Sequence, residues 1–100
     1  MHFIREYKSV KIENLGVGET NYDVRCPYDI PDGYVVAVVE CYCSAGCSAS
    51  YGGYSVSDLI AMVTNNTTIT RSPYVSWNIL LVKEELMEYR SWHYLTFHPS

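Results

Sequence analysis

Cysteine is the residue type in this chain with the widest chemical range, and the cysteines are unevenly placed. Cys41, Cys43 and Cys47 fall together in the stretch "ECYCSAGCSASYGGY", and Cys26 stands apart. Cys41 and Cys43 continue the apolar face of a strand, where cysteine commonly acts as a small buried hydrophobe. Their C-x-C-x3-C spacing differs from the C-x2-C knuckles of zinc sites. We therefore predict a strand end followed by a loop, with no metal site and no cofactor.

Two other uses of the cysteines stay open. The four thiols converge on one metal ion if the strands bring Cys26 to the cluster. A disulfide is the second alternative, although disulfides persist mainly in secreted proteins. The N-terminal stretch "MHFIREYKSV" lacks the apolar region of a signal peptide, so we expect a protein made in a cytoplasm.

The histidines and carboxylates do not form a recognisable catalytic set. His2, His93 and His98 all lie near the ends of the chain, where histidine is more often solvated than catalytic. The carboxylates are scattered over strands and turns, and a pair that meets across a sheet is a generic possibility. No enzymatic activity is predicted.

Tyrosine is abundant and suits binding rather than catalysis. The chain has ten tyrosines, and Tyr42, Tyr51 and Tyr54 cluster around what reads as a flexible Ser/Gly loop. A tyrosine ring offers a flat apolar face and a hydroxyl, which suit sugar stacking or a protein interface. We predict Tyr42, Tyr51, Tyr54 and Asn78 as ligand or interface contacts; the alternative is that several tyrosines fill the interior or its rim.

These side chains must be positioned by strands, because the hydrophobic pattern has a period of two. The strongest strand is "YVVAVVECYC", residues 34–43, and both of its faces begin with apolar residues. One face is expected to carry Val35, Ala37, Val39, Cys41 and Cys43, and the other Tyr34, Val36, Val38, Glu40 and Tyr42. A strand with two apolar faces is normally covered on both sides. We predict that Val36 and Val38 contact a neighbouring subunit.

A second clear strand, "YVSWNILLV", covers residues 74–82. It places Trp77 at the expected centre of the core, because tryptophan buries a large apolar area. The aromatic tail, residues 84–100, is predicted to form a short helical turn or an extended arm. We expect this tail to dock on the domain or on a partner, with Trp92 at a subunit interface.

Length and composition indicate one domain, residues 1–83, followed by the tail. About six short strands separated by turn signals predict an all-β fold, an antiparallel sandwich or barrel. Of the two we favour a single antiparallel β-sandwich. The net charge is −4 and no run of lysine or arginine is present, so we expect no nucleic-acid partner. No apolar run is long enough to cross a bilayer, so we expect no membrane insertion.

Three segments carry a resemblance to a known group of proteins. They are "VKIENLGVGETNYDV", "IPDGYVVAVVECYC" and "VSDLIAMVTNNTTITRSPYVSWNILLVKEE". Their order resembles the small β-sandwich modules at the receptor-binding ends of bacteriophage tail fibres, and is more distantly similar to the H-type lectin domain. The shared features are an "IP-x-GY" entry to a central strand, an Asn/Thr-rich turn and a final "V-x-W-x-hydrophobic" strand.

The resemblance implies a non-enzymatic virion module that forms homo-oligomers, with a trimer favoured. It also implies binding to a cell-surface glycan or a host receptor. A small cysteine-based metal-binding protein is the first alternative. The second is an intracellular phage effector that inhibits a host protein through its acidic surface.

Overall fold

The computed structural model describes residues 3–85, which form six β-strands. These are β1 Phe3–Lys11, β2 Thr20–Pro27, β3 Tyr34–Cys43, β4 Ser48–Ser55, β5 Asp58–Thr64 and β6 Tyr74–Lys83. They make two three-stranded sheets with the strand orders β1-β6-β3 and β2-β5-β4. Every strand pairing is antiparallel. The predicted all-β antiparallel sandwich of about six strands is confirmed.

The core lies between the central strands of the two sheets. The inward residues of β6 and β5 are Val75, Trp77, Ile79, Leu81, Leu59, Ala61 and Val63, and all are fully buried. The Trp77 indole also donates a hydrogen bond to the Ile60 carbonyl across the sandwich, at 3.3 Å. Trp77 therefore joins the two sheets, and its predicted place in the core is confirmed.

One end of the sandwich is closed by the segment between β5 and β6, which is organised around a buried asparagine. Asn65 is fully buried. Its side-chain amide donates to the carbonyls of Leu15 and Ile69, each at 2.9 Å. Its amide oxygen accepts from the backbone N–H of Thr67 at 2.9 Å. The Asn/Thr-rich stretch thus supplies hydrogen bonds to backbone groups that no strand pairs.

β3 has the predicted bounds but not the predicted faces. Val36 pairs with Leu81 and Val38 with Leu80, so Ala37 is an extra residue in the ladder. Such a bulge reverses the alternation of the residues that follow it. Val36 consequently packs against the core, together with Val39 beyond the bulge. The prediction that Val36 and Val38 share a face is wrong.

β4 occupies the stretch that the sequence predicts as a loop. Its Ser/Gly composition is unfavourable for a strand, yet Ser48–Ser55 pairs along β5 from Thr64 to Asp58. Two short turns enclose it. Ala45 and Gly46 have φ of 56° and 75°, and Val56 and Ser57 have φ of 50° and 64°, as type I′ turns require.

β6 ends at Lys83, and the backbone N–H of Glu84 donates to the Gly33 carbonyl at 2.8 Å. The predicted helical turn or arm over residues 84–100 lies outside the described residues, apart from Glu84 and Glu85. Its docking therefore stays a prediction.

Candidate functional site

The outward side of the β1-β6-β3 sheet brings several predicted site residues together. β6 lies between β1 and β3, so each outward residue of β6 has a neighbour on both sides. The register gives three consecutive rows: Arg5, Leu80 and Val38; Tyr7, Asn78 and Glu40; Ser9, Ser76 and Tyr42. We call these side chains the outer face.

The outer face exposes large hydrophobic side chains on both of its edge strands, β1 and β3, on either side of β6. Tyr7 is 65%, Val38 50% and Tyr42 49% exposed. Phe3, which precedes Arg5 on the same side of β1, is also exposed. Contiguous exposed apolar groups mark contact surfaces more reliably than isolated ones. The predicted contacts Val38, Tyr42 and Asn78 all belong to this surface.

Asn78 lies at the centre of the outer face with an incomplete set of hydrogen bonds. Its side-chain oxygen is buried, and no residue among 3–85 donates to it. Leaving a buried acceptor unpaired costs about 1–3 kcal/mol. A buried polar group of this kind in a contact surface is suited to receive a donor from a bound partner.

Tyr42 and Glu40 are neighbours on β3 and interact at the rim of the outer face. The charge of Glu40 is the main cause that raises the pKa of Tyr42, and burial, a hydrogen bond to Glu40 and the nearby Tyr7 contribute further. Tyr42 therefore keeps its proton at neutral pH. Its hydroxyl remains a donor, and its exposed ring remains available for contact.

Val36 does not belong to the outer face. The bulge turns its side chain inward against the core, while Val38 emerges on the outer side. Of the two valines predicted at the subunit interface, Val38 alone is placed where a neighbouring subunit can reach its side chain.

Tyr51 and Tyr54 lie on β4, in the other sheet, rather than on a mobile loop beside Tyr42. The Tyr54 hydroxyl donates to the Tyr28 carbonyl at 2.6 Å, and its ring packs against the core. Tyr51 is 37% exposed, and burial followed by the neighbouring Cys41 and Tyr54 raises its pKa. The structure therefore separates these two tyrosines from Tyr42 and Asn78.

All four cysteines are free thiols. Cys41 and Cys43 pack against the core from β3, and Cys26 is buried in β2. Burial raises the pKa of Cys41 to about 11, and burial with the adjacent Cys47 raises that of Cys43 to about 11. Within residues 3–85, no three or more histidine, cysteine or carboxylate side chains are grouped as metal binding needs. The cysteines thus resemble the expected small hydrophobes.

Some polar residues of interest escape sequence reasoning. Glu6 and Lys8 occupy inward positions of β1, between Ile4 and Val10, which pack against the core. Charged residues at positions where the alternation requires apolar ones are the signal that could have identified them. Tyr7 and Glu40 become visible as site residues only through the cross-strand register.

Trp92, predicted at a subunit interface, lies outside the described residues. Across residues 3–85 no helix has the length and apolar character needed to span a bilayer.

Comparisons with known proteins give no relative of this chain: no family model, no curated protein and no solved structure matches it.

Proposed function

We propose that the protein is a non-enzymatic binding module that assembles with copies of itself through the outer face. The observation that carries this proposal is the unpaired Asn78 amide oxygen among exposed hydrophobic side chains on the outer side of one sheet. A second protein surface removes those side chains from water, which is favourable by about 25 cal/mol per Å² of apolar area. It can also supply the missing donor.

The charges at the two edges of the outer face favour a second copy as the occupant. Arg5 projects from β1, whereas Glu40 projects from β3 in the neighbouring row. In a closed ring, the β1 edge of each copy meets the β3 edge of the next, which brings opposite charges together. This arrangement accommodates the trimer that the sequence resemblance implies.

The high pKa values of the thiols support a role other than cysteine catalysis. The thiolate is the reactive form of cysteine, and burial keeps Cys41 and Cys43 protonated at neutral pH. The same protonation weakens metal binding, which requires deprotonated ligands.

We place the module in the class that the sequence resembles, as a component of a phage virion made in the host cytoplasm. Its ligand in this proposal is a glycan or protein on a cell surface. The rim of the outer face around Tyr42 supplies the exposed aromatic ring for this contact. Screening a glycan array with the wild type and with Tyr42→Ala tests the ligand, and the variant should lose the binding. Tyr22→Ala is the matched control, because Tyr22 is 70% exposed but lies on the other sheet.

Native mass spectrometry, with and without a chelator, tests the assembly. We expect an oligomer, with three times the 11.4 kDa of the chain favoured, and no mass change on chelation. Val38→Asp should give a monomer, because it buries a charge in the contact. Tyr22→Asp should leave the oligomer intact. A monomeric wild type, or an ion that the chelator removes together with the fold, contradicts the proposal.

A further inference from the structure

A groove of about 490 Å³ lies beside β1, where the two sheets separate. Glu6 and Lys8 line it from β1, and Tyr28, Asp29, Ser57 and Asp58 line it from the second sheet and its connections. Such a volume falls within the range of small-molecule sites. The groove lies on the inward side of β1, and so is separate from the outer face.

The groove presents charges that the fold itself does not neutralise. Asp58 accepts from Arg25 at 3.3 Å. By contrast, Glu6, Lys8 and Asp29 make no ion pair with any other residue of the described part of the chain. Glu6 and Lys8 are partly buried at inward positions, where an unpaired charge is less well solvated than on the open surface. Their presence at two consecutive inward positions of β1 therefore points to a partner from outside.

Tyr28 provides an independent sign of a ligand. Its side chain lines the groove and only 6% of the residue is exposed. Its hydroxyl is buried without a hydrogen-bond partner among residues 3–85. Glu6 is close enough for its charge to raise the pKa of Tyr28, after burial as the main cause, to about 12. Glu6 therefore lies within reach of the hydroxyl proton, although outside the geometry of a well-formed hydrogen bond. The hydroxyl oxygen is left to accept from a cationic group.

The arrangement of opposite charges selects the kind of ligand. Glu6 and Lys8 are two residues apart on one side of a strand, about 7 Å along its axis. The Lys8 ammonium lies over the Tyr28 ring, 5.7 Å from its centre, whereas Glu6 lies at the Tyr28 hydroxyl. We propose that the groove binds a zwitterion, an α-amino acid, with its ammonium on Glu6, Asp29 and the Tyr28 hydroxyl oxygen and its carboxylate on Lys8.

NMR titration of the ¹⁵N-labelled full chain tests this proposal. The common α-amino acids, including L-alanine, are titrated one at a time and compared with three other small molecules. Propionate lacks the ammonium of alanine, ethylamine lacks its carboxylate, and glucose carries neither charge. We expect at least one amino acid to shift the amide signals of Glu6, Lys8 and Tyr28. Propionate and ethylamine, which each carry a single charge, should bind the groove at least about tenfold more weakly than that amino acid does.

Variants separate binding from folding. Glu6→Gln and Lys8→Met should each weaken amino-acid binding about tenfold or more. Glu13→Gln and Lys11→Met are the matched controls and should not weaken amino-acid binding. Lys11 Nζ and Glu13 Oε1 form an exposed ion pair at 3.6 Å, outside the groove. Tyr28→Phe should also weaken binding while leaving the melting temperature unchanged or higher, since it removes an unpaired hydroxyl.

Three results overturn the inference. The first is that no amino acid shifts the groove signals. The second is that ethylamine, propionate or glucose binds as tightly as the best amino acid. The third is that the Lys11 and Glu13 variants weaken binding as much as the Lys8 and Glu6 variants. None of these results depends on the oligomeric state, which the mass measurement decides separately.

Discussion

At the scale of single residues, two asparagines show how the same amide serves stability or contact. Asn65 uses both amide hydrogens and its oxygen within the fold. Asn78 leaves its oxygen unpaired on the outer face. The sequence alone predicts a turn at Asn65 and a candidate contact at Asn78. Whether each amide finds hydrogen-bond partners depends on backbone groups distant in sequence, such as the Leu15 carbonyl. The fold must be known before the two roles can be told apart.

Asn65→Ala should lower the free energy of unfolding by about 2–4 kcal/mol. The substitution removes one of the two donors to each of the Leu15 and Ile69 carbonyls, and it leaves the Thr67 N–H without its acceptor. Urea unfolding followed by tryptophan fluorescence measures the loss. Asn66→Ala is the matched control, because Asn66 is exposed and its amide donates only to Ser48 Oγ, at 2.8 Å. Equal losses for both variants contradict the assigned role of Asn65.

The buried thiols should make the fold sensitive to alkaline pH. Cys41 and Cys43 have an ordinary pKa of 9.0 that is raised to about 11 in the fold. Well below pH 9 both states keep the protons, so these thiols add no pH dependence there. Between pH 9 and 11 the unfolded chain loses protons that the folded chain retains, so the free energy of unfolding falls as pH rises.

Urea unfolding at stepped pH, under a reducing agent, checks this prediction. The double variant Cys41→Ala, Cys43→Ala should show a shallower decline over the same pH interval, whatever its stability at neutral pH. If the free energy of unfolding of the double variant falls as steeply as that of the wild type, groups other than Cys41 and Cys43 cause the decline.

At the scale of strands and turns, the sequence pattern succeeds where side chains alternate without interruption. β3 has its predicted extent and β6 runs one residue further than predicted, to Lys83. Long runs of β-branched and apolar residues make both strands easy to predict. β4 is missed because serine and glycine carry little strand signal, and its pairing with β5 compensates for that composition. The Ala37 bulge is missed because an extra residue is visible only against a partner strand. That single residue decides which valine reaches the surface.

The turn between β4 and β5 should be open to stabilisation. Val56 and Ser57 both have positive φ, which is unfavourable for a β-branched residue and is best met by Asn-Gly. Val56→Asn with Ser57→Gly should therefore raise the free energy of unfolding by about 0.5–2 kcal/mol. Thermal unfolding measures the gain. A lower melting temperature would show that the exposed Val56 side chain stabilises the fold by more than its unfavourable turn conformation destabilises it.

The turn between β3 and β4 requires glycine for two reasons. Gly46 has φ of 75°, and a Cβ there meets Thr67 Cγ2 at 2.9 Å. Gly18 has a similar φ of 73°, but its Cβ position has no atom within 4 Å. Gly18→Ala should cost about 1–2 kcal/mol from backbone strain, and Gly46→Ala should cost more, because the clash adds to the strain. Urea unfolding of the two variants compares the costs, and equal values contradict close packing at Gly46.

At the scale of the whole molecule, the outer face and the groove beside β1 are two distinct surface regions of the described residues. The outer face combines exposed apolar groups with opposite charges at opposite edges, which suits a ring of identical copies. The groove beside β1 combines opposite charges along one strand, which suits a small zwitterion. Neither region follows from composition, because the net charge of −4 says nothing about where positive and negative groups face.

A charge exchange between copies tests the ring most directly. In the proposed assembly Arg5 of one copy faces Glu40 of the next, so Arg5→Glu alone and Glu40→Arg alone should each lower the oligomer fraction at low salt, through repulsion between like charges. Mixing the two variants leaves one like-charged junction in every trimer, because a ring of three cannot alternate two kinds of copy. The double variant carrying both changes has an opposite pair at every junction and should recover the oligomer. Native mass spectrometry and light scattering measure the three variants at matched concentration, and raising the salt concentration should narrow the differences among them. If the double variant is no more oligomeric than either single variant, the β1 edge does not meet the β3 edge, and the outer face must associate in another orientation.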